Sequence, residues 1–145
     1  MKDETTLYSS DFQSSSEMMI LSNLKDRSYL DVNPAFLKTL EFERSEVVGK
    51  NANKLSFLSP KDLEIIEQSI KSRHPLKNHE IVIRSKTGAV VVGLLSYITL
   101  HIKSNPYLIA VITDITQRKY REVEMERLKE MEMDCTNSNL VNNIT

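Results

Sequence analysis

The sequence predicts an α+β domain built on one mainly antiparallel sheet, with short helices gathered on one face. Three observations carry this. Two strand-like runs come first, several short helices with clear start signals follow, and three further strand-like runs come after them. The connections are short, which favours antiparallel neighbours. Past Thr116 the chain turns charged and helical.

Each element has its own signal. Residues 1–16 carry five serines and only Leu7, Tyr8 and Phe12 as large apolar groups, so they read as a linker or a short helix laid on a neighbouring surface. Met18-Met19-Ile20-Leu21 is an apolar run of strand length, and Ser28 to Val32 is a second strand with rough alternation. Asn33-Pro34 starts a helix: asparagine accepts from an unpaired first-turn N–H, and proline fits the first helical position. Asn33 therefore reads as a cap rather than a cavity-facing group. Glu43 to Val48 reads as a further short helix closed by Gly49.

Ser59-Pro60 repeats the cap-plus-proline signal, and Leu63, Ile66 and Ile70 give the following helix one apolar face. His74-Pro75 ends it, since the residue before proline is pushed out of the helical region. Strands are expected at His79 to Ser85, Ala89 to Ile102 and Tyr107 to Ile115, with reversals at Lys86-Thr87-Gly88 and Ser104-Asn105-Pro106. The last two strands are apolar without alternation, as in Leu108-Ile109-Ala110-Val111-Ile112. A sheet with one wet face should alternate, so both faces are expected to be covered. The second face would be covered by the N-terminal segment, the trailing helix or another subunit. Gln117 to Met133 has no glycine or proline and reads as a helix; residues 134–145 read as a polar, frayed tail.

Composition narrows the function classes. The chain has 145 residues, enough for one domain, with 40% hydrophobic and 27% charged residues. With 19 basic and 20 acidic residues there is no electrostatic ground for a nucleic-acid or anionic-membrane partner. The longest unbroken run of apolar residues and glycine, Ala89 to Leu95, is far short of the ~20 residues that span a bilayer. No secretory signal is seen, and a soluble, cytoplasmic chain is expected, or the cytoplasmic part of an anchored receptor. The single cysteine, Cys135, rules out an intramolecular disulfide. With three glycines in all there is no Gly-rich phosphate loop, and no nucleophile–base pair or carboxylate cluster suggests catalysis.

Four segments together resemble a PAS domain over roughly Glu17 to Glu130. Tyr29-Leu-Asp-Val-Asn-Pro-Ala-Phe-Leu37 is similar to that family's second strand and first helix. Glu43-Arg-Ser-Glu-Val-Val-Gly-Lys50 is similar to its connecting helix, and Arg84-Ser-Lys-Thr-Gly88 to its hairpin. Ala110-Val-Ile-Thr-Asp-Ile-Thr-Gln-Arg-Lys119 resembles the final strand and the Asp-Ile-Thr motif that leads to an output helix. The first turn, Asn23 to Arg27, departs from the Asp-Gly of many members.

The resemblance implies a five-stranded antiparallel sheet with short helices on one face, a central cavity and a C-terminal output helix. The core would span 17–116 and the output helix 117–133. It also implies a sensor that acts on an effector such as a histidine kinase or diguanylate cyclase, commonly as a homodimer. Phe36, Leu40, Leu55, Ile66 and Ile83 are the expected cavity lining for a non-covalent flavin or a small organic ligand; the same positions also read as ordinary core. Asp114 and Thr116 are expected to relay a signal, with Asp114 paired to Lys86 or Arg84 at the hairpin; capping of the helix at Gln117 is the simpler role. Covalent flavin is excluded by the absence of cysteine from Gly49 to Phe57. Haem is disfavoured because no histidine falls in the Ser59–Arg73 helix, and no metal site is expected from His74, His79 and His101. Two other functions compete with the sensor: a ligand-free dimerisation adaptor, and a small cavity-bearing enzyme.

Overall fold

The computed structural model describes residues 11–144, with side chains described over 12–131. Leu7, Tyr8 and the Cys135 side chain, on which expectations were placed, lie outside the described residues. The chain divides into two compact units, Met1–Asp114 and Ile115–Thr145.

Within the described residues the first unit starts with a short helix α1 (Asp11–Ser14), then β1 (Met18–Asn23) and β2 (Tyr29–Val32). Four helices follow: α2 (Pro34–Leu40), α3 (Arg44–Val47), α4 (Ala52–Leu55) and α5 (Pro60–Lys71). Strands β3 (His79–Arg84), β4 (Val90–Ile102) and β5 (Asn105–Asp114) complete it. All pairings are antiparallel, in the order β2-β1-β5-β4-β3. Strand β5 is thus central although it is last in sequence, and the expected α+β architecture is present.

The helix starts follow their caps. Asn33, Asn51 and Ser59 each accept from the backbone N–H three residues on: Phe36, Lys54 and Asp62, at 3.1 Å in each case. Gly49, at φ 85°, follows α3 in the left-handed region that a helix C-terminus favours. The β4–β5 reversal differs from expectation. It is a two-residue turn at Lys103-Ser104, both at positive φ (52° and 69°), so β5 starts at Asn105 rather than Tyr107. A primed turn matches strand twist, and this lets Ile102 pair directly with Asn105.

The two sheet faces differ. On the helix side Ile20, Val32, Phe36, Leu40, Ile81, Ile83 and Ile112 are almost fully buried in one core. On the opposite side Phe12 of α1 packs on Leu21 and Ile109, flanked by Met19, Leu100 and Tyr107. So the N-terminal segment covers part of the second face, whereas Val82, Val90 and Ile98 are exposed at 47%, 47% and 60%.

Gly93 is needed where β4 and β5 approach. A Cβ there would lie 2.6 Å from the Ile112 Cγ2 and 3.4 Å from the Thr113 carbonyl oxygen. Gly93→Ala should therefore cost about 1–3 kcal/mol as strand and side chain shift apart. The urea midpoint of the variant checks this; an unchanged midpoint would show that Ile112 relaxes freely.

The second unit is a helix, α6 (Thr116–Ile144). It continues past the expected end at 133, through the stretch expected to fray. Asparagine and threonine weaken a helix, but no glycine or proline is present to stop it. Tyr120, Val123, Met125, Leu128 and Met131 on it are all exposed.

Candidate functional site

An apolar cavity of about 80 Å³ lies between α5 and the helix side of the sheet. Ile20 of β1, Leu108, Ala110 and Ile112 of β5, and Leu95 and Tyr97 of β4 form its floor. Leu63, Ile66 and Ile70 of α5 face it, as the three-and-four spacing places them on one side of that helix. Phe57 and Tyr29 close another wall, with ring centroids 6.3 Å apart. Ala110 sits on the inward side of the central strand between Leu108 and Ile112, and its short side chain leaves part of this space unfilled.

The polar groups at the wall are mostly used. Arg27 and Glu67 pair through two contacts, Nε to Oε1 at 3.0 Å and a second guanidinium nitrogen to Oε2 at 3.3 Å. This joins the β1–β2 turn to α5. The Tyr97 hydroxyl lies 2.6 Å from Ser69 Oγ, which donates to the Ile66 carbonyl at 2.7 Å. The Ser22 hydroxyl reaches the Leu108 carbonyl at 3.4 Å. Burial pushes the Tyr29 phenol above its ordinary range, because the phenolate would lose its water.

Of the expected lining residues, Ile66 alone borders the cavity. Phe36, Leu40 and Ile83 are fully buried in packed core, and Leu55 packs against its edge. Phe36 touches Phe57 edge-on at 5.6 Å and so sits one layer behind the cavity wall. Periodicity finds the inward face but not the depth. Tyr29, Leu95, Tyr97 and Ala110 were missed, although the small Ala110 among bulky neighbours is a signal for space.

The junction residues are also placed. Asp114 ends β5 opposite Gly93, is exposed, and is followed by buried Ile115 and half-buried Thr116. Arg84 ends β3 opposite Val90, with its backbone N–H donating to the Phe57 carbonyl. Lys86 pairs with Glu46 of α3, Nζ to Oε2 at 2.7 Å, rather than with Asp114. The other Glu46 oxygen accepts from the Glu43 N–H at 3.0 Å. Glu41, the left-handed cap of α2, also accepts from Thr87 and Ser85 of the hairpin. The hairpin is therefore tied to α2 and α3.

Lys86, by hydrogen bonding, holds the Glu46 carboxyl below its usual range, and Glu46 raises Lys86. For Glu46 the sign is that of a depressed carboxylate: the contact contributes above the ordinary carboxylate pKa and is lost as pH falls through the lowered one. In Lys86→Met the Glu46 titration, followed by carboxyl carbon NMR, should move up towards the ordinary value. An unmoved midpoint would mean that Lys86 does not hold it.

A flavin or haem does not fit this cavity, since pockets for ligands of drug size run to ~300–1,000 Å³. The histidines lie elsewhere: His74 and His101 are exposed, and His79 is half-buried at the start of β3. Among the described residues no group of three histidine, cysteine, aspartate or glutamate side chains could hold a metal ion. No helix among them is long and apolar enough to cross a membrane.

A family profile described as PAS domain matches residues 16–117. No curated protein sequence matches the chain. Among solved structures, an RNA-binding light-oxygen-voltage receptor superposes with a TM-score of 0.70 at 18% identity, over 89% of this chain. The match spans only 38% of that receptor. The PAS domain of an HTR-like protein from Haloarcula marismortui gives 0.64 at 18% identity, over 79% of this chain and 93% of that one. A PAS domain from a two-component sensor histidine kinase gives 0.63 at 14% identity, over 78% and 97%. At these identities the likeness is one of fold.

Proposed function

This chain belongs to the PAS domain family, a family of sensory modules, and from that premise we propose that it relays the occupancy of its cavity to the C-terminal helix. One observation carries the reading. Strand β5 floors the cavity through Leu108, Ala110 and Ile112, and α6 begins at Thr116, two residues after that strand ends. A ligand that binds two poses of β5 unequally would shift the helix with it. The relay would run through Asp114-Ile115-Thr116, with Arg84 and Lys86 anchoring the hairpin beside it.

The effector is proposed to be a histidine kinase of cytoplasmic two-component signalling, a reading supported by the likeness to a sensor-kinase PAS domain. The working form is proposed to be a homodimer. Val82, Val90 and Ile98 leave an apolar strip on the sheet's outer side, and α6 exposes further apolar residues. Native mass spectrometry should then show a dimer that Ile98→Glu weakens at least tenfold; equal dimerisation in the variant would remove this face from the interface.

Filling the cavity tests the relay itself. Ala110→Leu should alter hydrogen exchange not only in β5 but at amides 117–131 of α6. Changes confined to the sheet would contradict it. The adaptor reading, in which dimerisation is the whole function, is favoured by the small cavity volume. It predicts that no small molecule binds.

A further inference from the structure

Tyr29 lines the cavity, and its side chain is buried. Its neighbours there are the Phe57 ring and aliphatic side chains. The other polar side chains of the wall are engaged: Arg27 with Glu67, Tyr97 with Ser69, and Ser22 with the Leu108 carbonyl. Among the described residues the Tyr29 hydroxyl has no hydrogen-bond partner. Tyr29 keeps only 7% of its surface exposed, and the cavity lies against its side chain.

This arrangement selects a chemistry. A charged ligand would have to leave water for an almost wholly apolar chamber whose nearby charges already neutralise one another. A pure hydrocarbon would dry the phenol without replacing its hydrogen bond. The size is restricted as well, since a cavity of ~150 Å³ is what admits benzene.

We propose that the cavity is the site of a small uncharged molecule, of about two or three carbon atoms and one oxygen, anchored by the Tyr29 hydroxyl. Small ketones and alcohols are the ligand class. This rests on the ligand-sensing reading above and narrows it. The Arg27–Glu67 pair, at 27% and 41% side-chain exposure, closes the cavity on the side of the β1–β2 turn.

Acetone is a suitable probe, with isobutene as the hydrocarbon of matched shape. Methyl NMR of the folded chain should show acetone shifting Ile20, Leu95 and Ile112 signals. Tyr29→Phe keeps the ring and removes one oxygen, and it should weaken acetone about fivefold, the effect of one net hydrogen bond, while isobutene binds both proteins alike. Ala110→Leu should abolish binding of both probes. The proposal is overturned if acetone leaves these methyls unmoved, or if it binds Tyr29→Phe as tightly as the parent. Absent binding would leave the exchange test of the relay intact, because Ala110→Leu needs no ligand. Binding without any effect on α6 would sink the relay and keep the site.

Discussion

Asn33→Ala should destabilise the domain by about 3–5 kcal/mol, well beyond the cost of losing a helix cap. The residue is fully buried and every polar atom of its side chain is used. Its oxygen accepts from the N–H groups of Met19 at 2.9 Å and Phe36 at 3.1 Å. Its nitrogen donates to the carbonyls of Phe12 at 2.9 Å and Glu17 at 2.8 Å. One side chain thus joins α1, the approach to β1, β1 itself and the start of α2. Alanine would leave several of these backbone groups dry and unpaired, each at about 1–3 kcal/mol before relaxation.

Ser59→Ala is the natural comparison, because Ser59 caps α5 at an exposed site by a single bond. It should cost about 1 kcal/mol. Asn33→Asp should not rescue, since a carboxylate would face two carbonyl oxygens in a dry site. Urea unfolding of the three variants at constant slope decides it. A loss of 1 kcal/mol or less in Asn33→Ala would reduce the residue to an ordinary cap.

Phe36→Ala should cost about 3–5 kcal/mol, for a different reason. The ring is fully buried, meets Phe57 edge-on at 5.6 Å and stacks on Phe42 at 6.5 Å. Removing it deletes apolar burial and opens a void behind the Phe57 wall, in a layer where sheet and helix leave little room to collapse. Domains of this size have only ~5–15 kcal/mol in total, so the thermal midpoint should fall by many degrees. Ile66→Val, at the cavity edge, should cost about 0.5–1.5 kcal/mol. Equal losses in the two variants would contradict the layering of core and cavity.

The fold was legible because its signals are local. Asn33-Pro34, Ser59-Pro60 and Gly49 each act within a turn of helix, and the structure has a start or an end at each; the helix expected to end at His74-Pro75 stops at Lys71, three residues earlier, where Arg73 turns left-handed. The Asn33 cap was legible, but its bonds to Met19, Phe12 and Glu17 were not, since these are set by how α1 and β1 fold back. The same limit explains Lys86. Its charge invited a partner, and the fold brings α3 with Glu46, forty residues away in sequence, against the hairpin. The cavity was legible only in outline. Which inward residues touch empty space depends on volume left over in three dimensions, and Phe36, Leu40 and Ile83 fill theirs completely. The helix runs past the expected end because a polar, asparagine-rich stretch lowers helix propensity without ending a helix.

Sensing and relay meet in one measurement: hydrogen exchange of α6 amides 117–131 across an acetone titration, alongside the methyl shifts of Ile20, Leu95 and Ile112. Relay through β5 predicts that helix exchange changes in step with cavity occupancy, along the same binding curve, and that Ala110→Leu abolishes the dependence. Saturated methyl shifts with helix exchange unchanged would contradict it, and would leave a binding site that reports to nothing.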